Sequence, residues 1–282
     1  MLKIKTDHVE AIIKEVAQSV IVPRFRNLHS HEIHFKGVDD PVTIADQEAE
    51  KLYTDKLKAL LPGSLVVGEE AYAADPSILK AFEQDSPVWV VDPLDGTKAF
   101  LAGAPVYGVI VALTQGDETL AAWLYDPTSD EFITAEKGAG AYHKGSKLKV
   151  MAPDSIEKMS GIIGARITCA FNQCANAPTD KKPVFHRMLS ACHDYARLVV
   201  DTPHFSGTTT QAHFHCWLQT CTPWDSAAGI FINTEAGGTT AHWNGDPFHP
   251  SHYGRGILTA PDEESWAEIN QWVSTFCQLP DK

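Results

Sequence analysis

Residues 89–97 read Trp89-Val90-Val91-Asp92-Pro93-Leu94-Asp95-Gly96-Thr97. The apolar lead suits a buried strand, which then breaks into two acids flanking a Pro-Leu pair. Pro93 fixes its own φ and lacks an amide hydrogen, so a tight loop is expected that turns Asp92 and Asp95 to one side and leaves the Leu94 carbonyl free. Carboxylates and a carbonyl are hard ligands of the kind Mg2+ takes, and Gly96-Thr97 at a helix start would offer amides to a phosphate. Taken alone, such a DxxD is more often an acidic turn in which Asp95 caps the following helix.

Other segments change that balance. Upstream, the β-type run Leu65-Val66-Val67 ends in Gly68-Glu69-Glu70; downstream, Trp224 precedes Asp225 and the small residues Ser226-Ala227-Ala228-Gly229, which let a helix pack closely. Asp46, delivered by residues 39–45, opens a helical segment to Leu61, with Ala49, Leu52, Leu57 and Leu60 for its buried side and Pro62-Gly63 as its stop. An earlier amphipathic segment from Asp7 to Phe25 carries Val9, Ile12, Ile13, Val16 and Val20 at helical spacing until Pro23 interrupts it. Short β-type runs at Ser64–Val67, Val88–Val91, Val106–Leu113, Ala121–Tyr125 and Glu131–Thr134 make the first half α+β with a sizeable sheet. A lysine-bearing turn at Lys144–Lys149 and Pro153 mark a joint near residue 155. Residues 1–155 then carry most of the candidate ligands and 156–282 carry Asp225 and the substrate side of the pocket, within one compact unit. Between Cys169 and Pro183 the pattern is polar and assigns no element.

The chain has 282 residues, 44% hydrophobic and 21% charged, ordinary values for a soluble globular protein. Its net charge of −13 opposes a polyanion and favours cations, which argues against nucleic acid as a partner. No apolar run reaches the roughly 20 residues that cross a bilayer. The start, Met1-Leu2-Lys3-Ile4-Lys5, lacks a secretory pattern, so the expected compartment is the cytoplasm. The six cysteines all lie in the second half without paired spacing and read as reduced thiols.

Together the motifs resemble the inositol monophosphatase family of Mg2+-dependent, lithium-sensitive phosphatases. Asp40-Pro41-Val42-Thr43-Ile44-Ala45-Asp46, Gly68-Glu69-Glu70, residues 89–97, and Trp224–Gly229 with Thr234-Glu235-Ala236-Gly237-Gly238 match its motifs in family order. The resemblance implies a layered αβαβα sandwich of the inositol monophosphatase and fructose-1,6-bisphosphatase type. It implies that Glu69, Asp92 and the Leu94 carbonyl hold one Mg2+, that Asp92, Asp95 and Asp225 hold a second, and that a third, looser ion sits near Glu69. In the implied mechanism Asp46 and the Thr97 hydroxyl orient and deprotonate a water for in-line attack, with Glu69 beside them and Asp95, Gly96 and Thr97 steadying the phosphate. No covalent phosphoenzyme is required, the substrate is a small phosphorylated metabolite, and the family's usual state is a homodimer.

The match has departures. Family members that accept inositol phosphate carry an acid shortly before the Trp-Asp motif, but none lies between His204 and Pro223, and the small-residue stretch around Asp201–Thr210 is altered. Lys98-Ala99-Phe100 resembles relatives that use histidinol phosphate, sugar bisphosphates or nucleotide bisphosphates. A bisphosphate would need a second basic pocket, for which Arg166, Lys181, Lys182 and Arg197 are candidates. Strand alternation would put His213 and His215 on one face and Cys216 on the other, against a shared soft-metal site; His29, His31 and His34 read as loop or strand polar residues. A non-catalytic binding homologue, such as a modulator of transcription machinery, is disfavoured by the intact Asp46, Glu69, Asp92, Asp95, Thr97 and Asp225, since clustered carboxylates are costly to keep.

Overall fold

A computed structural model describes residues 4–37, 40–175, 177, 179, 182–187, 190–200, 211–251 and 255–280. The strands β1 (Ile33–Gly37) and β2 (Asp40–Thr43) form a small hairpin-like pair. A seven-stranded sheet runs in the order β3 (Leu65–Gly68), β4 (Val88–Asp95), β5 (Gly108–Gln115), β6 (Glu118–Asp126), β7 (Glu131–Glu136), β8 (Gly140–His143), β9 (Ser146–Lys147). Only the β3–β4 pair in it is parallel. A five-stranded sheet has the order β11 (Val184–Arg187), β10 (Ser160–Ile163), β12 (Phe214–Thr220), β14 (Arg255–Ala260), β13 (Thr239–Ala241).

Helices cover both faces of each sheet. Trp89, Val91, Val111 and Trp123 face α1 (Thr6–Val16) and α2 (Ile44–Leu60) on one side of the large sheet. The alternate residues Val88, Val90, Ile110 and Leu124 face α6 (Ala191–Val199) and α7 (Pro223–Glu235), which also meet Ile162 and Ile257 of the small sheet. Beyond that sheet, Phe214, Cys216 and Leu258 pack on α5 (Ala165–Gln173) and α8 (Glu263–Ser274). The stacking is therefore αβαβα, and a strand buried on both faces reads as the near-continuous apolar run seen in β4. Two short helices, α3 (Glu69–Ala74) and α4 (Thr97–Leu101), follow β3 and β4.

Several boundaries differ from the sequence reading. The second helix starts two residues before Asp46, because Thr43 rather than Asp46 is its N-cap. Its buried side includes Tyr53, whose hydroxyl donates to the Ile13 carbonyl at 3.1 Å, while Leu52 and Leu60 are only half-buried. The first helix stays α-helical to Val16, then widens over Ala17–Ile21 and tightens over Val22–Arg24 before Phe25 turns extended. The lysine-bearing turn sits inside the β8–β9 hairpin, with Lys144 and Gly145 both at positive φ. No helix among the described residues is long and apolar enough to cross a membrane.

Candidate active site

Asp92 pairs across β4–β5 with Ile110 and Asp95 with Gly108, so two β4 residues oppose one β5 residue between them. Three residues apart on a regular strand, the two acids would face opposite ways; the bulge reverses that parity and brings them to one side. The Asp92 carboxylate accepts from the Leu94 amide at 3.0 Å. Gly96 follows at φ +83°, and a Cβ there would stand 2.7 Å from the Val106 carbonyl, so the turn into α4 requires glycine.

Asp95 does cap a helix, although a different one from the helix it precedes. Its two oxygens accept from the Ala191 amide at 3.1 Å and the Cys192 amide at 2.8 Å, and the Ser190 hydroxyl adds a third bond, so it holds the N-terminus of α6. Asp225 lies in the first turn of α7 and accepts from the Thr222 hydroxyl. Gly229 lets that helix seat itself, because a Cβ there would collide with the Tyr195 ring at 2.1 Å. These placements bring carboxylate oxygens of Asp92, Asp95 and Asp225 within 4.8 Å of one another.

Asp46 approaches from α2. One of its oxygens accepts from the Thr43 amide at 2.8 Å and the Thr43 hydroxyl at 2.6 Å, forming a capping box; the other accepts from the Thr97 hydroxyl at 3.0 Å. Thr97 Oγ1 also lies 3.0 Å from the Leu94 carbonyl, so its single hydroxyl hydrogen is shared between Asp46 and that carbonyl, which keeps a lone pair. Glu69 stands where β3 gives way to α3 and lines the same cleft, but its carboxylate binds Lys36 Nζ at 2.7 Å and lies outside the three-acid group; Lys36 reaches Glu70 at 2.9 Å as well. Buried Glu50 accepts from the Glu70 and Ala71 amides at 2.8 and 2.7 Å and so anchors α3.

Burial first, then the charges of Glu69, Asp95 and Asp225, pushes Asp92 well above the carboxylate range. Burial with Glu69 and Asp95 pushes Asp225 up to about 7, and burial raises Glu69 and Asp46. Burial opposes the Lys36 ammonium, but Glu69 and Glu70 together hold it above the ordinary lysine value. A set of only oxygen donors with mutually repelling charges suits a hard divalent cation, so these residues fit a metal of the Mg2+ class.

The cleft, about 430 Å3, continues past Thr97 and Asp225 to Asp194, Tyr195, His215, Trp217 and Ile257. Alternation on β12 holds: His215 and Trp217 face the cleft, whereas Phe214 and Cys216 join the outer core. His213 Nδ1 accepts from the Ser160 amide at 2.9 Å. Of the candidate basic residues, Arg166 lines a separate cleft near the C-terminus, Lys182 stands over Phe171 and Phe185, Arg197 is buried in α6, and Lys181 lies outside the described residues. The altered stretch Asp201–Thr210 also lies outside them. Sequence reasoning missed Lys36, Glu50, Ser190 and Thr222; it also left Thr43 without a role, although the Thr-x-x-Asp spacing of a capping box was there to read.

The profile described as the inositol monophosphatase family matches residues 4–276. The chain belongs to the inositol monophosphatase family. It is 30% identical over 243 residues to an inositol monophosphatase of Dictyostelium discoideum, covering 83% of each chain. It is 29% identical over 213 residues to the Nus factor SuhB of Vibrio cholerae, covering 74% of each. Over 209 residues it is 28% identical to a fructose-1,6-bisphosphatase/inositol-1-monophosphatase of Thermotoga maritima, again covering 74% of each. Among solved structures, an IMPase of Thermotoga maritima superposes with a TM-score of 0.75 at 22% identity, covering 96% of this chain and 98% of that one. These findings establish the inositol monophosphatase fold and, through the family, a phosphatase.

Proposed function

We propose that this family member hydrolyses a small phosphate monoester with Mg2+, using Asp46 and Thr97 to activate the attacking water. The observation that carries the reading is the hydrogen-bonded Asp46–Thr97 pair in the cleft that also gathers Asp92, Asp95 and Asp225. Asp92, Asp95 and Asp225, with Glu69 and the remaining lone pair of the Leu94 carbonyl, would hold the cation. Bound there, Mg2+ would supply Lewis-acid polarisation of the phosphate and neutralise charge that builds on the leaving oxygen.

The chain's own residues supply the proton path. Thr43 occupies one Asp46 oxygen twice, which fixes the carboxylate and leaves its other oxygen to Thr97. The Thr97 oxygen can accept a proton from water while giving its own to Asp46, and burial raises the Asp46 pKa, which makes it the better acceptor. The water oxygen attacks phosphorus, the ester P–O bond breaks, and the leaving alkoxide takes a proton from solvent to depart as the alcohol, while Asp46 returns its proton to solvent. Backbone amides at Gly96 and Thr97, which line the cleft, would steady the phosphate.

A monoester is favoured over a bisphosphate because none of Arg166, Lys182 and Arg197 lines the cleft, which Lys98 lines as its basic residue among those described. The likeness to a Nus factor raises a non-catalytic role as the alternative, and the complete acid set favours catalysis. The test is phosphate release from a panel of monoesters with Mg2+, with chelator, and with Mg2+ plus Li+. Release that needs Mg2+ is expected; release that survives chelation, or Mg2+ binding with no turnover of any ester, overturns the reading.

A further inference from the structure

The β12 wall of the cleft is aromatic, although Asp194 lines the cleft beside it. Trp217 is half-buried and lines it. The indole Nε1–H donates to the Thr220 carbonyl at 3.3 Å across a β12–β14 irregularity, the benzo edge lies close over Gly164, where an added Cβ would come within 3.3 Å of it, and the Trp217 backbone carbonyl accepts from Trp243 Nε1 at 2.8 Å, which holds the strand beneath the ring. Such a ring presents a rigid face without losing rotamer freedom on binding.

Next to it on the same strand face, His215 is 3% exposed and lines the cleft, and neither of its ring nitrogens has a hydrogen-bond partner among the described residues. The Tyr195 ring lies 4.7 Å from it, centroid to centroid. Burial lowers the His215 pKa to about 4, so the ring is neutral near pH 7 and offers one N–H donor and one acceptor. A buried imidazole with no partner is costly unless something that enters the site satisfies it. Ile257, opposite Trp217 in the β12–β14 pairing, closes the slot with an apolar side chain. The polyol-reading acid is missing from residues 204–223.

We propose that Trp217 and His215 form a leaving-group subsite that selects phosphate monoesters whose alcohol carries a heteroaromatic ring. The ring stacks on the Trp217 indole, and a ring heteroatom takes the hydrogen bond that His215 lacks. The subsite rests on the phosphatase reading, because it orients the alcohol whose phosphate faces the carboxylates.

The experiment compares kcat/KM, with Mg2+, for 3-pyridylmethyl phosphate, benzyl phosphate, inositol 1-phosphate and glycerol 2-phosphate. The first two differ only in the ring nitrogen. The wild-type order is expected to be pyridylmethyl, then benzyl, then the two polyol esters. Trp217→Leu should lower the ratio of either ring ester to glycerol 2-phosphate by about ten- to a hundredfold, and Trp217→Phe should restore most of it. His215→Phe should lower the pyridylmethyl-to-benzyl ratio about tenfold and leave the benzyl-to-glycerol ratio in place. Turnover of the polyol esters at least equal to that of the ring esters, or ratios unmoved by both variants, overturns the subsite alone. No Mg2+-dependent release from any ester overturns the phosphatase reading and the subsite with it.

Discussion

On the β4 side of the cleft Asp92, Asp95 and Thr97 come from one short stretch, and their polar atoms are answered by hydrogen bonds to Leu94, Ala191, Cys192 and Asp46. On the β12 side His215 and Trp217 come from one strand and Tyr195 from α6, and the two ring nitrogens of His215 have no partner among the described residues. The first region is polar, crowded with like charge and held by backbone geometry; the second is aromatic and shaped by packing. The contrast separates two tasks. Chemistry at phosphorus needs charges fixed to fractions of an ångström, which a bulged strand and helix ends provide, whereas choosing an alcohol needs surfaces that can be exchanged without disturbing the acids.

The strongest way to break that division is to disable the first region while leaving its packing intact. Asp46→Asn has the same shape and can keep its oxygen for the Thr43 amide with its NH2 turned to the Thr97 oxygen, but it removes the proton acceptor, so kcat should fall about 10²- to 10⁴-fold. Mg2+ binding by calorimetry should stay near wild type, because Asp46 lies outside the three-acid group. Turnover within a few-fold of wild type would remove Asp46 from the proton path. Thr97→Val is a smaller lesion: it withdraws the hydroxyl from Asp46 and from the Leu94 carbonyl, and leaving those buried groups unanswered is worth about 1–3 kcal/mol. A loss of about ten- to a hundredfold in kcat/KM is expected, with Thr97→Ser recovering most of it; failure of Ser to rescue would show that the methyl rather than the hydroxyl matters.

The same contrast governs what could be read from the sequence. The β4 stretch declares itself because its signals are local: an apolar run, a proline and two acids within a few residues, joined by a strand-end acid at Glu69 and a helix-start acid at Asp225. Even there, the local alternative had Asp95 capping the helix that follows it, whereas the helix it caps begins nearly a hundred residues later, and the Leu94 carbonyl, expected to be free, lies 3.0 Å from the Thr97 hydroxyl. Glu69 was placed in the right cleft, yet nothing in Gly68-Glu69-Glu70 pointed to Lys36 as its partner. The layer order followed from the family resemblance, and the hydrophobic periods alone gave only the α+β class. On the β12 side, alternation put His213 and His215 together on one face, but that His215 and Trp217 form one wall with Tyr195 depends on how α6 and α7 pack between two sheets.

Gly96 links the regions and offers a test through stability. Gly96→Ala forces a side chain into the left-handed region and against the Val106 carbonyl, at a cost of about 1–3 kcal/mol in urea unfolding. Gly63 is the matched control, with φ of +88° and open space around its missing Cβ, so Gly63→Ala should lose only the backbone part. Equal losses at the two positions would mean that the close approach at Gly96 relaxes freely.

The smallest effects, and the ones that oppose the two regions most directly, lie in the pH dependence of the metal-free protein. Asp225 is raised to about 7 by burial with Glu69 and Asp95, against an unfolded value near 4, so between those pH values the folded chain holds a proton that the unfolded chain has released. Its contribution to stability therefore falls as pH rises through that window, with a slope of up to about 1 kcal/mol per pH unit. His215 runs the other way. Lowered to about 4 by burial, it stays neutral while the unfolded residue binds a proton below its ordinary pKa of about 6.5, so its contribution rises with pH between about 4 and 6.5. In chelator, Asp225→Asn should thus make the slope of stability against pH from 4.5 to 6.5 more positive, and His215→Phe should make it less positive. Saturating Mg2+ should flatten the Asp225 slope, because the cation replaces the proton, and leave the His215 slope unchanged; a cation that altered both would mean that the two regions titrate as one.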